Sequence, residues 1–381
     1  MSGGSLLSAY AATLDGLERK SRRRYLTRQE GVDFTSNDFL ALADDARIRL
    51  AIAHALQRGV PMGSGGSRLL RGNHPEHEAL ELEAAKFFGA ERALFFASGY
   101  VANSALFSTL PRREDLIVYD ALLHASALDG ISASKSESHG VRHNDVTAFD
   151  DAIKDWRRRG GKGRPWIATE SIFSMDGDRG AVEELATLAD HHDGFLVVDE
   201  AHATGVFGKG GRGLACGLEG KENVLVLHTC GKALGVSGAI LSSPAVLVDY
   251  MINRARSFIY STAPSPLLAC AVREALKIID DEPLRQKALH RLIGEVGDLL
   301  AAHLGIAPSG SQVQPIIIGD SARTVKIARE LQSNGFDVRA IRPPTVPEGT
   351  SRLRLSITLH VAVSQVNAML GCLADVLKVS R

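Results

Sequence analysis

No uninterrupted apolar run in this 381-residue chain reaches the roughly 18 residues that a membrane-spanning helix requires, so no membrane partner is expected. Cysteine is sparse. Cys216, Cys230, Cys270 and Cys372 form no CxxC or metal-ligand spacing, which argues against a disulfide framework or a zinc ribbon and fits a reducing, cytoplasmic setting. Excess charge is missing too. Lys+Arg and Asp+Glu number 44 each, a balance that gives no general attraction to nucleic acid or anionic lipid. No internal repeat and no low-complexity tract interrupts the chain. The opening "MSGGSLLSAYAATLDGLERKSRRRY" lacks the basic-then-apolar order of a secretory leader. It reads as an amphipathic helix with Tyr10, Leu14 and Leu17 on one face. "DWRRRGGKGRP" reads as a solvated basic loop.

What the chain does have is alternation. Apolar runs recur from about residue 90 to 260, among them "RALFFAS", "DLIVYD", "PWIATES", "GFLVVDEAH", "NVLVLHT" and "GAILSS". Helical stretches such as "AVEELATLADHHD" fall between them. Continuous apolar strands alternating with helices predict an α/β fold with a mostly parallel sheet covered on both faces. Ligand chemistry in such sheets collects at the carboxyl ends of strands. The pattern changes near "DEPLRQ". The division predicted is an N-terminal helix and arm over 1–45, a large domain over 46–284 and a smaller α+β domain over 285–381.

Several polar residues stand at predicted strand exits. Lys232 lies in "HTCGKALGVSGA" as a lone long cation among small residues. Taken alone it fits a turn whose lysine snorkels to water. Asp199 ends "FLVVD", with His202 three residues on. A helix N-cap is one reading, and a carboxylate that holds a protonated ring nitrogen is the other. His124 follows "DLIVYDALL" and reads either as a satisfied histidine or as a ring that stacks on another. "FASGYVANSAL" puts Gly99 and Tyr100 where a helix N-terminus could take a phosphate. Ser174 lies in another strand-to-loop exit, "ESIFSMDGDRG". Cys230 fits a buried, inert thiol.

The order Gly-aromatic, His, Ser, Asp-x-x-His and Thr-x-x-Lys resembles fold-type I transferases that use pyridoxal 5'-phosphate (PLP), and among them the α-oxoamine synthases. The resemblance runs through "RRRY", "FTSNDFLAL", "GSGGSRLLRGNHPEHEALE", "DEAHATGVFG", "GKALGVSG" and "IRPPTVPEGTSRLRLSIT". It implies a large domain with a sheet of roughly seven strands and a homodimer with active sites at the subunit interface. It implies that Lys232 bonds the cofactor aldehyde, Asp199 pairs with the ring nitrogen, His202 contacts the phenolic oxygen and His124 stacks on the ring. Gly99, Tyr100 and Thr229 would hold the phosphate, with Ser174 beside the ring. Asn37 and Arg342 would position the amino acid, Arg342 on its carboxylate, and Arg22 and Thr345 would serve the acyl substrate. The last stretch is similar to the member that joins L-alanine to a pimeloyl thioester, carried on coenzyme A or acyl carrier protein. Ala203 and Cys230 depart from that pattern but stay small.

Other readings compete. A sibling synthase would take glycine or serine with another acyl-CoA. A phosphate loop in "GSGGSRLL" lacks the GK[ST] ending. His74 and His77 in "HPEHE", and His191 with His192, do not match HExxH and offer no clear third ligand, so no metal site is assigned. A non-catalytic relative would be expected to lose Lys232 or Asp199, and both are present.

Overall fold

The computed structural model describes residues 6–379 and divides into two compact units. One comprises residues 37–174 and 178–290, the other residues 1–36, 175–177 and 291–381. The sequence reading divides the chain at 45/46 and 284/285 instead. A helix, Pro283–Leu304, runs through the latter point, and the extreme ends of the predicted outer domains, 1–5 and 380–381, lie outside the described residues.

The first unit is built on a seven-stranded sheet. In spatial order its strands are Arg92–Phe96, Ala239–Ser243, Val224–Thr229, Phe195–Asp199, Pro165–Glu170, Leu116–Asp120 and Glu137–Val141. Ala239–Ser243 is antiparallel to both its neighbours and every other pairing is parallel. All strands but that one therefore share a direction. Their carboxyl ends bring Ser98, Asp120, Glu170, Asp199 and Thr229 to one edge.

Strand periodicity decides which face each residue takes. Leu116, Val118, Ile167, Leu196 and Val198 pack under helices Val146–Arg158 and Val182–His191. Ile117, Trp166, Ala168, Val197, Leu225 and Leu227 pack on the other face, with Ala102 and Leu106 of helix Gly99–Thr109 and Ala127 of helix Ala125–Ser132. These side chains are nearly all fully buried, the valines, leucines and isoleucines each worth about 1.5–3 kcal/mol on transfer from water. Continuing the alternation by two residues puts Glu170, Asp199 and Thr229 on the face of helices Gly99–Thr109 and Ala125–Ser132.

The basic segment after Asp155 is a correction to the sequence reading. Helix Val146–Arg158 takes in its first residues, through Arg158, because Phe149, Ile153 and Trp156 recur at helical spacing and are buried, and only the part from Arg159 on is turn and loop as expected. Arg157 stacks over Trp156 at 4.6 Å and donates to the carbonyls of Gly161 and Gly163 at 3.1 and 2.8 Å.

In the second unit, strands Ala340–Ile341, Ser351–Ser356 and Val313–Gly319 form an antiparallel sheet in that order. Helices Ser321–Ser333 and Val363–Val379 belong to the same unit, and Val32–Asp33 pairs parallel with Phe336–Asp337. The predicted N-terminal helix forms over Ser8–Arg19, but it buries no residue, and Tyr10 and Leu14 are exposed.

Candidate active site

The loop that carries Lys232 is shaped by glycine. Gly235 has φ +66°, and a Cβ there would lie 2.4 Å from the Ala43 nitrogen. Gly238 has φ +122°, and a Cβ would lie 2.4 Å from the Phe95 ring. Both positions need a residue without a side chain. The small residues around the lysine thus let the loop press against its neighbours. Lys232 itself is half-buried, and its Nζ lies 2.7 Å from Nε2 of the buried His202. Cys230 is fully buried, and burial pushes its thiol well above the ordinary range.

Asp199 is also buried. It is not a helix cap. Its Oδ1 accepts from the Ala201 backbone N–H at 2.9 Å, and Oδ2 accepts from the Asn103 amide at 2.7 Å. Both are uncharged donors, although a buried carboxylate is best compensated by a cation. His124 is exposed, capping helix Ala125–Ser132 with Nδ1, which accepts from the Ser126 N–H at 3.2 Å. Protein packed around the imidazole pulls its pKa down, Asp199 raises it, and Lys232 lowers it again. Lys232, His124 and Asp199 thus sense one another electrostatically.

Glu170, opposite Asp199 in the sheet register, is a third buried acid at this edge. Its Oε1 has no hydrogen-bond partner in the structure. Burial raises its pKa strongly and Asp199 adds to the rise, while Lys232 and the backbone N–H groups of His124 and Ser174 oppose it. Burial and the neighbouring carboxylate thus act together against a charge on Glu170. Glu170 also ties Ser174 into the cluster.

Ser98 caps helix Gly99–Thr109, its Oγ accepting from the Val101 N–H at 3.2 Å. The Gly99 and Tyr100 N–H groups belong to the helix's first turn, which has no intrahelical acceptors. The Thr229 hydroxyl would lie 3.5 Å from a Cβ at Gly99, so an anion could meet all three residues. The Tyr100 side chain turns to Asp129. Asn37 is half-buried in a turn where its carbonyl accepts from the Phe39 N–H at 2.8 Å. Phe39 in turn packs 5.9 Å from the His202 ring.

Arg22, Arg342 and Thr345 belong to the other unit. Arg342 donates to the Ser21 carbonyl at 2.6 Å, and the Thr345 N–H donates to the Arg342 carbonyl at 3.1 Å. The Thr345 hydroxyl accepts from Arg24 at 3.1 Å, and Arg22 pairs with Glu348. Arg342 opens on a cleft of about 660 Å³ that Arg23, Arg24 and Arg329 also line. Burial, then the cations Arg24 and Arg329, lower its pKa, so an anion there would be welcome.

Neither histidine motif set aside in the sequence lies free. His77 bonds the Pro264 carbonyl at 2.9 Å, His74 caps helix Pro75–Phe88, and His192 bonds Asp150 at 2.8 Å. Sequence reading missed Asn103, Ser126, Glu170 and Arg24. The first shares a helix face with Gly99, four residues earlier, and Glu170 ends its strand as Asp199 does.

The buried anion with neutral donors, the amine on a histidine and the helix N-terminus fit PLP, which presents a basic ring nitrogen, an aldehyde and a phosphate. The family model for aminotransferase class I and II matches residues 29–367. An 8-amino-7-oxononanoate synthase of Anaeromyxobacter dehalogenans is 42% identical, the alignment covering 91% of this chain and 86% of that protein. The solved 8-amino-7-oxononanoate synthase of Francisella tularensis superposes with a TM-score of 0.78 at 28% identity, over 92% of this chain and 98% of that one. Sphingomonas wittichii serine palmitoyltransferase superposes with a TM-score of 0.89 at 25% identity, over 99% of each chain.

Proposed function

This chain belongs to the aminotransferase class I and II family and, within it, to the 8-amino-7-oxononanoate synthases, and we propose that it joins L-alanine to a pimeloyl thioester. The products would be 8-amino-7-oxononanoate, CO2 and the free thiol carrier, coenzyme A or acyl carrier protein, in biotin biosynthesis. The observation that carries the reading is Lys232 Nζ at 2.7 Å from His202 Nε2, on a loop that leaves the same sheet as Asp199.

Bound PLP supplies an electron sink for the bond electrons left at the alanine Cα. The chain supplies the rest. Asp199 holds a proton on the ring nitrogen and keeps the ring electron-poor. His124 covers the ring as a neutral imidazole, and His202 bonds the phenolic oxygen. Gly99, Tyr100 and Thr229 hold the phosphate, with Ser174 beside the ring. Lys232 carries the cofactor at rest. With PLP bound, its Nζ would be the base that removes the Cα proton and later returns one to the same carbon. Between those transfers, Cα bonds the thioester carbonyl carbon, the thiolate leaves, and the amino acid's carboxylate departs as CO2. Arg342 grips that carboxylate with two parallel donors before it leaves, and Asn37 helps to align the amino acid. Arg22 and Thr345 face the acyl substrate. We assign the working form as a homodimer in the cytoplasm. Among the described residues no helix is long and apolar enough to cross a membrane.

The acyl chain provides the test. Each methylene of pimeloyl that the site buries is worth about 0.8 kcal/mol. Pimeloyl thioester with L-alanine is expected to exceed succinyl-CoA or acetyl-CoA with glycine by about 10-fold to 100-fold in kcat/KM, measured in parallel. A win for glycine with a short acyl group would keep the family and overturn the substrate.

A further inference from the structure

A chain of hydrogen bonds runs from the buried Asp199 through Asn103 and Ser126 to His124. Asn103 is 2% exposed and Ser126 1%, on two different helices. The Asn103 amide nitrogen lies 2.7 Å from Asp199 Oδ2 and 3.0 Å from Ser126 Oγ. Ser126 Oγ lies 2.7 Å from His124 Nδ1. Donor direction follows from chemistry. A carboxylate only accepts, so the nitrogen of Asn103 must face Asp199. Its second N–H then goes to Ser126 Oγ, which is left to donate its own proton to His124 Nδ1. That nitrogen also accepts from the Ser126 backbone N–H, so it bears no proton, and the imidazole is the neutral form protonated at Nε2.

We propose that Asn103 is a positioning residue that locks Asp199 and His124 into one bridge. Through it the carboxylate keeps a fixed aim at the ring nitrogen, and the stacking histidine keeps a single neutral tautomer. The inference rests on the PLP reading. Neutral donors suit the task. A lysine or arginine in place of Asn103 would neutralise Asp199 and compete with the ring nitrogen for it. The other titratable groups that His124 meets here are Lys232 and Asp199, and the Asp199 side also carries Glu170, a buried acid whose pKa is raised; Asn103 and Ser126 are uncharged, so the bridge itself adds no net charge.

The test compares Asn103→Ala, Ser126→Ala and Asp199→Asn, singly and with Asn103→Ala combined with Asp199→Asn. Far-UV circular dichroism of the apo-proteins reports folding. The readouts are the PLP dissociation constant and the pH at which the visible band of lysine-bound PLP titrates. Asn103→Ala is expected to weaken PLP about 10-fold or more and to move the titration midpoint. Both effects should shrink to near nothing when Asp199 is already asparagine, because the bridge then has no anion to aim. Ser126→Ala removes one buried oxygen, keeps the fold, and should move the midpoint through His124 alone. If Asn103→Ala does not fold, the Ser126→Ala midpoint decides. An unmoved midpoint with unchanged PLP affinity in a folded variant overturns the bridge, as does full additivity with Asp199→Asn. A parent protein that develops no visible band with PLP overturns the cofactor reading, a result distinct from either.

Discussion

The groups at the carboxyl edge of the seven-stranded sheet and those gathered around Arg342 are held in opposite ways. Asp199, Asn103 and Ser126 are buried and tied by short, directional bonds. Arg22 and Arg342 are half-exposed, Thr345 is exposed, and their partners include the largely exposed Glu348 and the backbone carbonyl of Ser21. Under the proposed reaction, this contrast puts rigidity where a proton must stay and looseness where a substrate must pass. A group that must keep a proton on one ring atom gains from a fixed, water-poor setting. A group that admits and releases a substrate carboxylate works from a wetter, looser one.

The contrast can be broken at its rigid end first. Asp199→Asn should still bind PLP yet lose about 3–4 kcal/mol of transition-state stabilisation, seen as a fall of two to three orders of magnitude in kcat. Near-normal turnover would remove Asp199 from the chemistry. At the looser end, Arg342→Lys keeps the charge but loses the two-pronged geometry. The KM for alanine should rise about 10-fold while kcat changes less, and an unchanged KM would place the carboxylate elsewhere. The smallest effect concerns support for the edge. His143 bridges Asp120 at 2.9 Å and Asp178 at 2.8 Å. Burial alone would lower its pKa, but the two carboxylates raise it to about 10. The unfolded value is about 6.5, so the folded state binds the extra proton between the two. The bridge's stabilisation, roughly 1.5–3 kcal/mol, should be full below about pH 6.5 and fade as pH rises through 10. Thermal unfolding of the parent and of His143→Gln across that range should converge at the alkaline end. A constant gap would deny the bridge its charge.

Six strands of the seven-stranded sheet were readable because strands buried on both faces leave continuous apolar runs, as "FLVVD" and "NVLVL" do, whereas the edge strand Glu137–Val141 is exposed along most of its length and leaves no such run. Lys232, Asp199 and His124 were readable because each stands just past such a run. The start of the basic segment was misread as loop since three consecutive arginines mask Trp156, which anchors the last turn of the helix. Asn103 was invisible for a different reason. It looks like any polar residue on a helix, and what gives it meaning is Asp199, 96 positions away. The unit division is similarly non-local, because residues 175–177 group with the C-terminal segment, and no change of composition marks them.

The central claim is that Lys232 is the amine that carries the cofactor. Borohydride reduction of the PLP-loaded protein, followed by digestion and mass spectrometry of the peptides, tests it directly. The account predicts a single PLP adduct, on the peptide containing Lys232, and none in Lys232→Ala that is folded and treated alike. An adduct fixed on another lysine of the parent protein would contradict it.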